Sequence, residues 1–229
     1  MTDVTIATLD GQQMPAYRAD PAGAPRGAIV VIQEIFGVNA GIRRKCDTLA
    51  AAGYLAIAPD LFWRMEPGIE LDPDVDAEMQ RALAIMGDFD QDAGVRDIEA
   101  TIRYAHAESG GKVGAVVYCL GGRLAYMTAA RTDVDASVGY YAVGVDGLLG
   151  EKHAIANPLM LHIAGDDGFV DAATQAAMHA GLDDHPKVTL HDYPGEDHGF
   201  ATEFGKRRSD AAATLADERT AAFFAEHIG

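Results

Sequence analysis

The stretch V-G-A-V-V-Y-C-L-G-G-R, Val113 to Arg123, carries a thiol where a nucleophile would be useful. A short apolar run leads into Tyr118-Cys119-Leu120, two glycines follow, and an apolar-rich helix begins after them. This reads as a strand, a sharp turn and a helix with Cys119 at the apex. A sulfur there is held clear of a sheet and faces a helix N-terminus, whose unsatisfied N–H groups favour a thiolate. The backbone N–H of Leu120 would point at the oxyanion formed when a carbonyl is attacked. Cys119 also suits an ordinary core position at a strand end, so the reading depends on its partners.

A base and a carboxylate are available at other strand ends. Leu159 to Ala164 is an apolar run followed by Gly165-Asp166-Asp167-Gly168, and Val188 to Asp192 is followed by Pro194-Gly195-Glu196-Asp197-His198-Gly199-Phe200. His198 is the histidine placed where a base is needed. A histidine base needs a hydrogen-bonded carboxylate to hold its tautomer and steady the imidazolium. Asp166 and Asp167 both suit that role, whereas Asp171, before Ala172-Ala173-Thr174, reads as a helix N-cap. His162, inside an apolar strand, and Cys46, on the apolar stripe of a helix, read as core. A third strand end, after Ala28 to Ile32, carries Gln33-Glu34-Ile35-Phe36-Gly37.

The elements that must position these groups alternate. Residues 3 to 19 suggest a hairpin around Asp10-Gly11. Strands are expected at 28–32, 54–58, 113–118, 134–143, 159–164 and 188–192. Helices are expected at 41–52, around 79–86, from Val95 to the Gly110-Gly111 stop, after the elbow, at 171–182, and from about 206 onward. Strands alternating with helices predict an α/β fold, a mostly parallel sheet covered on both faces, with reactive groups at the carboxyl ends of the strands. Residues 1–229 read as a single domain.

Composition narrows the function classes. The chain has 229 residues, 48% hydrophobic and 23% charged, and a formal net charge of -17. Such charge argues against nucleic acid and anionic membrane surfaces as partners. No apolar run reaches the ~18 residues of a membrane span, and no secretory signal is visible at the start. Two distant cysteines form no disulfide framework, which suggests a reducing, cytoplasmic location. The chain lacks G-x-G-x-x-G, Walker A, C-x-x-C and H-E-x-x-H patterns, so no cofactor and no metal are expected, and the expected state is a monomer or weak homo-oligomer.

Five ordered motifs, Q-E-I-F-G-V-N (33–39), P-D-L-F (59–62), Y-C-L-G-G (118–122), G-D-D-G-F-V (165–170) and D-H-G-F (197–200), together with G-Y-Y (139–141), resemble the dienelactone hydrolase family. The resemblance covers nearly the whole chain. It implies an α/β-hydrolase fold whose triad falls on Cys119, Asp167 and His198, in the nucleophile–acid–histidine order of those enzymes. It places the oxyanion donors on the backbone N–H groups of Leu120 and Ile35. It also implies that Glu34 contacts the thiol and helps ready it when substrate arrives. A carboxylate beside a thiol disfavours the thiolate, and moving it away would reverse this.

Two departures from the family pattern stand out. Val117 occupies the place two residues before the nucleophile, where the elbow usually has glycine, and its β-branch is expected to crowd the turn. The two arginines that grip an anionic substrate are replaced by Met79 and Thr202, and their aromatic companions by Leu83 and Met86. Arg81 and Lys206 to Arg208 lie nearby in sequence but are expected to face elsewhere. The expectation is an apolar acyl pocket lined by Phe36, Trp63, Met79, Leu83 and Met86, with Thr202 at the substrate. The chain therefore reads as a cysteine-dependent hydrolase of small esters or lactones, with dienelactone itself in doubt. The rival readings are a thioester or other acyl hydrolase, and a ligand-binding or sensing protein on the same fold.

Overall fold

A computed structural model describes residues 2–119 and 121–229. An antiparallel hairpin, β1 (Thr2–Ala7) and β2 (Gln13–Ala19), opens the chain, and its turn is at the expected Asp10-Gly11. The remaining strands are β3 (Ala28–Ile32), β4 (Leu55–Pro59), β5 (Val113–Tyr118), β6 (Ala136–Tyr140), β7 (Leu159–Ala164) and β8 (Val188–Tyr193). They form one eight-stranded sheet in the order β1-β2-β4-β3-β5-β6-β7-β8. From β4 to β8 every pairing is parallel, and β2 meets β4 antiparallel.

The helices are α1 (Ala40–Ala51), α2 (Asp76–Asp88), α3 (Gln91–Ser109), α4 (Gly121–Arg131), α5 (Ala172–Leu182) and α6 (Asp210–His227). Strands β3 to β7 are buried along their whole length, as continuous Val/Ile/Ala runs require when both faces are covered. One face packs against α1 and α6, in a core that contains Cys46, Phe223 and Phe224. The other packs against α3 and α4, with Ile98, Ile102, Leu124 and Ala125 in the layer; α5 joins that side beyond β7.

Local chemistry sets the helix ends. Asn39 caps α1 by accepting from the Gly41 and Ile42 N–H groups, and Asp90 caps α3 through Ala93 N–H. Asp171 caps α5 through Thr174 N–H, as its sequence position suggested. Gly110 ends α3 in the left-handed region at φ 65°.

Four elements differ from expectation. Strand β6 covers only Ala136–Tyr140 of the expected 134–143. Helix α2 is longer than 79–86. A 3-10 helix at Asp146–Ala154 carries no strong sequence periodicity. The last helix starts at Asp210, because Gly205 adopts φ 102° and the Asp74 carboxylate accepts from Lys206 N–H, which holds 203–209 as a loop.

The site follows from the topology. The chain leaves β3 toward β4 on one side and returns to β5 on the other. At such a reversal the loops after neighbouring strands part and leave a crevice at their carboxyl ends. Here those loops carry Glu34-Ile35-Phe36 and Cys119.

Candidate active site

Cys119 sits in the turn between β5 and α4 with φ 62°. Left-handed backbone is costly for a residue with a Cβ, and the surroundings hold it there. Gly122 N–H donates to Cys119 O at 2.7 Å. A Cβ at Gly122 would stand 2.5 Å from Ala142 Cα, so glycine alone lets α4 close over the end of β6. Val117 does not open the turn. It pairs with Ile32 on one side and Gly139 on the other, fully buried. Gly139 contributes no side chain on the α4 side, where a Cβ would come 3.1 Å from Ala125, and this leaves room for the valine branch.

The elbow, the β7–α5 loop and the β8–α6 loop bring three groups together. His198 Nε2 lies 3.1 Å from Cys119 Sγ, and His198 Nδ1 lies 2.9 Å from Asp167 Oδ2. All three residues are buried. Asp167 Oδ1 accepts from Phe169 N–H at 2.8 Å, which fixes the carboxylate plane. Asp166 is excluded from this role: its N–H is tied to Glu196 O, and Asp167 is the residue that meets the ring. Burial is the strongest influence on the His198 imidazole and would lower its pKa. The hydrogen bonds to Asp167 and Cys119, with their charges, outweigh it and hold the pKa up at about 10. Phe169 and Tyr141 each present a ring to the imidazole edge-on, with centroids 4.9 Å away, and restrict its rotation.

The loop after β3 forms the opposite wall. Gly37 adopts φ 79°, and a Cβ there would come 1.8 Å from Ile69 O. The Phe36 carbonyl accepts from Leu71 N–H at 2.9 Å, so the loop is pinned on both sides of this contact. This holds Glu34, Ile35 and Phe36 at the cavity. Burial raises the pKa of Glu34, against the pull of His198, Lys45, Tyr141 and Arg207. Glu34 lines the same cavity as the sulfur, which is engaged by His198, and makes no hydrogen bond to Cys119 among the described residues. Leu120, the second expected oxyanion donor, lies outside the described residues.

A cavity of about 330 Å³ opens above the thiol. Of the expected lining residues, Phe36, Met79, Leu83, Met86 and Thr202 border it. Trp63 does not. Its ring packs into the core layer on the α3 side, its Nε1–H donates to the buried Asp97 at 2.9 Å, and the Arg64 guanidinium lies 4.4 Å from its centroid. An indole N–H needs a partner when buried, and that requirement turns Trp63 away from the site.

Sequence reasoning missed other lining groups. Phe169 and Val143 add apolar surface, and Lys206 and Arg207 place positive charge at the rim. These two cations reach the cavity because 203–209 is loop and not the expected start of a helix. Arg207 also donates to the His198 carbonyl at 3.4 Å.

A parallel α/β sheet with a thiol, an imidazole and a carboxylate in series at its carboxyl edge is the architecture of an α/β-hydrolase. The dienelactone hydrolase family model matches residues 14–228, and the chain belongs to that family. It is 47% identical over 236 residues to a carboxymethylenebutenolidase homologue of Azospirillum brasilense, covering 100% of both chains. It is 41% identical over 224 residues to the carboxymethylenebutenolidase of Pseudomonas putida, covering 97% of this chain and 95% of that one. A crystal structure of a dienelactone hydrolase homologue from Klebsiella pneumoniae superposes with TM-score 0.86 at 26% identity, over 99% of this chain and 98% of the other. These relatives identify a hydrolase acting on carboxylic esters.

Proposed function

We propose that the protein is a cysteine-dependent hydrolase of small esters or lactones. Cys119 Sγ attacks the carbonyl carbon with the proton of the pair already held on His198 Nε2. Asp167 keeps the other ring nitrogen protonated and steadies the imidazolium. The oxyanion is received by the backbone N–H groups of Ile35 and Leu120, as the family resemblance implies. The intermediate collapses, the C–O bond breaks, and the leaving oxygen takes the proton from His198. A thioester on Cys119 remains, and water then cleaves it. The observation that carries this reading is the relay of 3.1 Å from sulfur to imidazole and 2.9 Å from imidazole to carboxylate.

The cavity suits a small acyl group with apolar surface. Lys206 and Arg207 at its rim give a carboxylate-bearing ester or lactone a place to dock, in spite of Met79 and Thr202 where the family has arginines. This restores a lactone with an anionic arm as a reasonable substrate. Exchanging Cys119 for Ala tests the mechanism. Turnover of an activated aryl ester is expected to fall by about 10⁴-fold or more in a protein that stays folded, and unchanged turnover would remove the thiol from the reaction.

A further inference from the structure

Beside the catalytic cavity lies a second one of about 340 Å³, between the N-terminus of α1 and the loops at 70–74 and 202–205. Its walls are more polar than those of the catalytic cavity, with Asn39, Glu70, Asp72, Glu78 and Glu203 among them. The two spaces share Glu34, Pro73, Asp74, Thr202, Phe204 and Gly205 as a common wall. On this wall Thr202 Oγ1 is buried and has no hydrogen-bond partner among the described residues. The Tyr141 hydroxyl acts on Glu34, favouring its ionised form. Buried hydroxyls left unpaired by protein are ordinarily met by water or by a ligand.

We propose that this polar groove is the route by which water reaches the acyl-enzyme, passing Glu34 and Thr202 at the shared wall. The proposal rests on Cys119 being the nucleophile. Once the alcohol has left, the acyl group occupies a cavity whose walls are largely apolar side chains, including Phe36, Met86 and Phe169, and such walls hold water poorly. Polar side chains line part of the groove up to Glu34, and its volume is many times the ~30 Å³ of one liquid water. Its carboxylates admit a neutral molecule but oppose an anionic one, so the product acid leaves by the rim that carries Lys206 and Arg207. In the step served by this route, the water oxygen bonds to the thioester carbon and gives its proton to His198 Nε2. The C–S bond then breaks, the sulfur leaves with the bonding pair beside the protonated His198, and the carboxylic acid is released.

Two groove-filling substitutions test this without touching the triad: Ala40→Trp, at an exposed position on the groove wall, and Gly41→Leu beside it. A p-nitrophenyl ester is mixed with each purified protein, p-nitrophenolate release is followed by stopped flow, and the adduct is followed by intact mass after acid quench. The expected result is a first phase of wild-type rate, a second phase at least fivefold slower, and acylated protein that persists correspondingly longer. A second phase at the wild-type rate in Ala40→Trp that keeps its circular dichroism spectrum overturns the route. A first phase slowed as much as the second does the same, because the block is then not confined to water. If Cys119→Ala turns the ester over at the wild-type rate, the nucleophile reading fails and the route falls with it.

Discussion

Asp167 and His198, 31 positions apart in sequence, meet through one buried contact in which Nδ1 stands 2.9 Å from a carboxylate oxygen. Asn at 167 keeps the shape but offers the ring an amide, which stabilises no imidazolium and can select the wrong tautomer. Asp167→Asn is expected to lower kcat about 10³-fold with an activated ester, with a modest change in KM. A loss below tenfold in a folded protein would show that the carboxylate does not support the imidazole.

The same pair makes stability depend on alkaline pH. The folded His198 holds its proton to about pH 10, against an ordinary value of 6.5. Below pH 6.5 both folded and unfolded chains carry the proton, and the full stabilisation is present. Between 6.5 and about 10 the folded chain alone keeps it, so stability falls as pH rises, by at most about 1.4 kcal/mol per pH unit for one group. Urea midpoints measured from pH 6 to 10 are expected to decline in the wild type and to flatten in His198→Gln. Parallel curves for the two proteins would contradict the assignment.

Gly37 is the residue on which the loop after β3 turns. With φ 79° and an Ile69 carbonyl where a Cβ would stand, Gly37→Ala requires both a strained backbone and a shifted neighbouring chain. The expected cost is about 2–4 kcal/mol, seen as a lower Tm, with activity falling further than stability because Ile35 and Phe36 move with the turn. A wild-type Tm would mean that the loop yields without effort.

Lys206 and Arg207 are exposed, so their charges are screened and each contributes modestly. Exchanging both for Met is expected to raise KM for a carboxylate-bearing ester about five- to tenfold at low salt, with less than a twofold change for its neutral methyl ester. Equal effects on both esters would show that the rim does not read charge.

Much of the fold was legible because it is written locally. Ala28–Ile32, Val113–Tyr118 and Leu159–Ala164 are uninterrupted apolar runs, and Asn39, Asp90 and Asp171 act on N–H groups within three residues. Cys119 and His198 were legible from their places after strands, whereas Asp167 was separated from Asp166 only by the family resemblance. What escaped depends on distant neighbours. Trp63 stands beside P-D-L-F and looks like pocket lining, but Asp97, 34 positions later, claims its N–H. The cations at 206 and 207 were read as helix because the Asp74 contact that keeps them in a loop spans 132 positions. Phe169 and Tyr141 lay inside quoted motifs, yet their packing on the imidazole has no signature in spacing.

The left-handed backbone at Cys119 sets two demands on one position against each other. Glycine would sit there at ease, whereas the proposed chemistry requires a side chain, so the resting protein keeps a conformation that its own fold would rather relax. Selection for thermal robustness alone would therefore drift toward the one residue that extinguishes the thiol. A search for sturdier variants of this chain has to score turnover at every round, because at residue 119 endurance and reactivity pull in opposite directions.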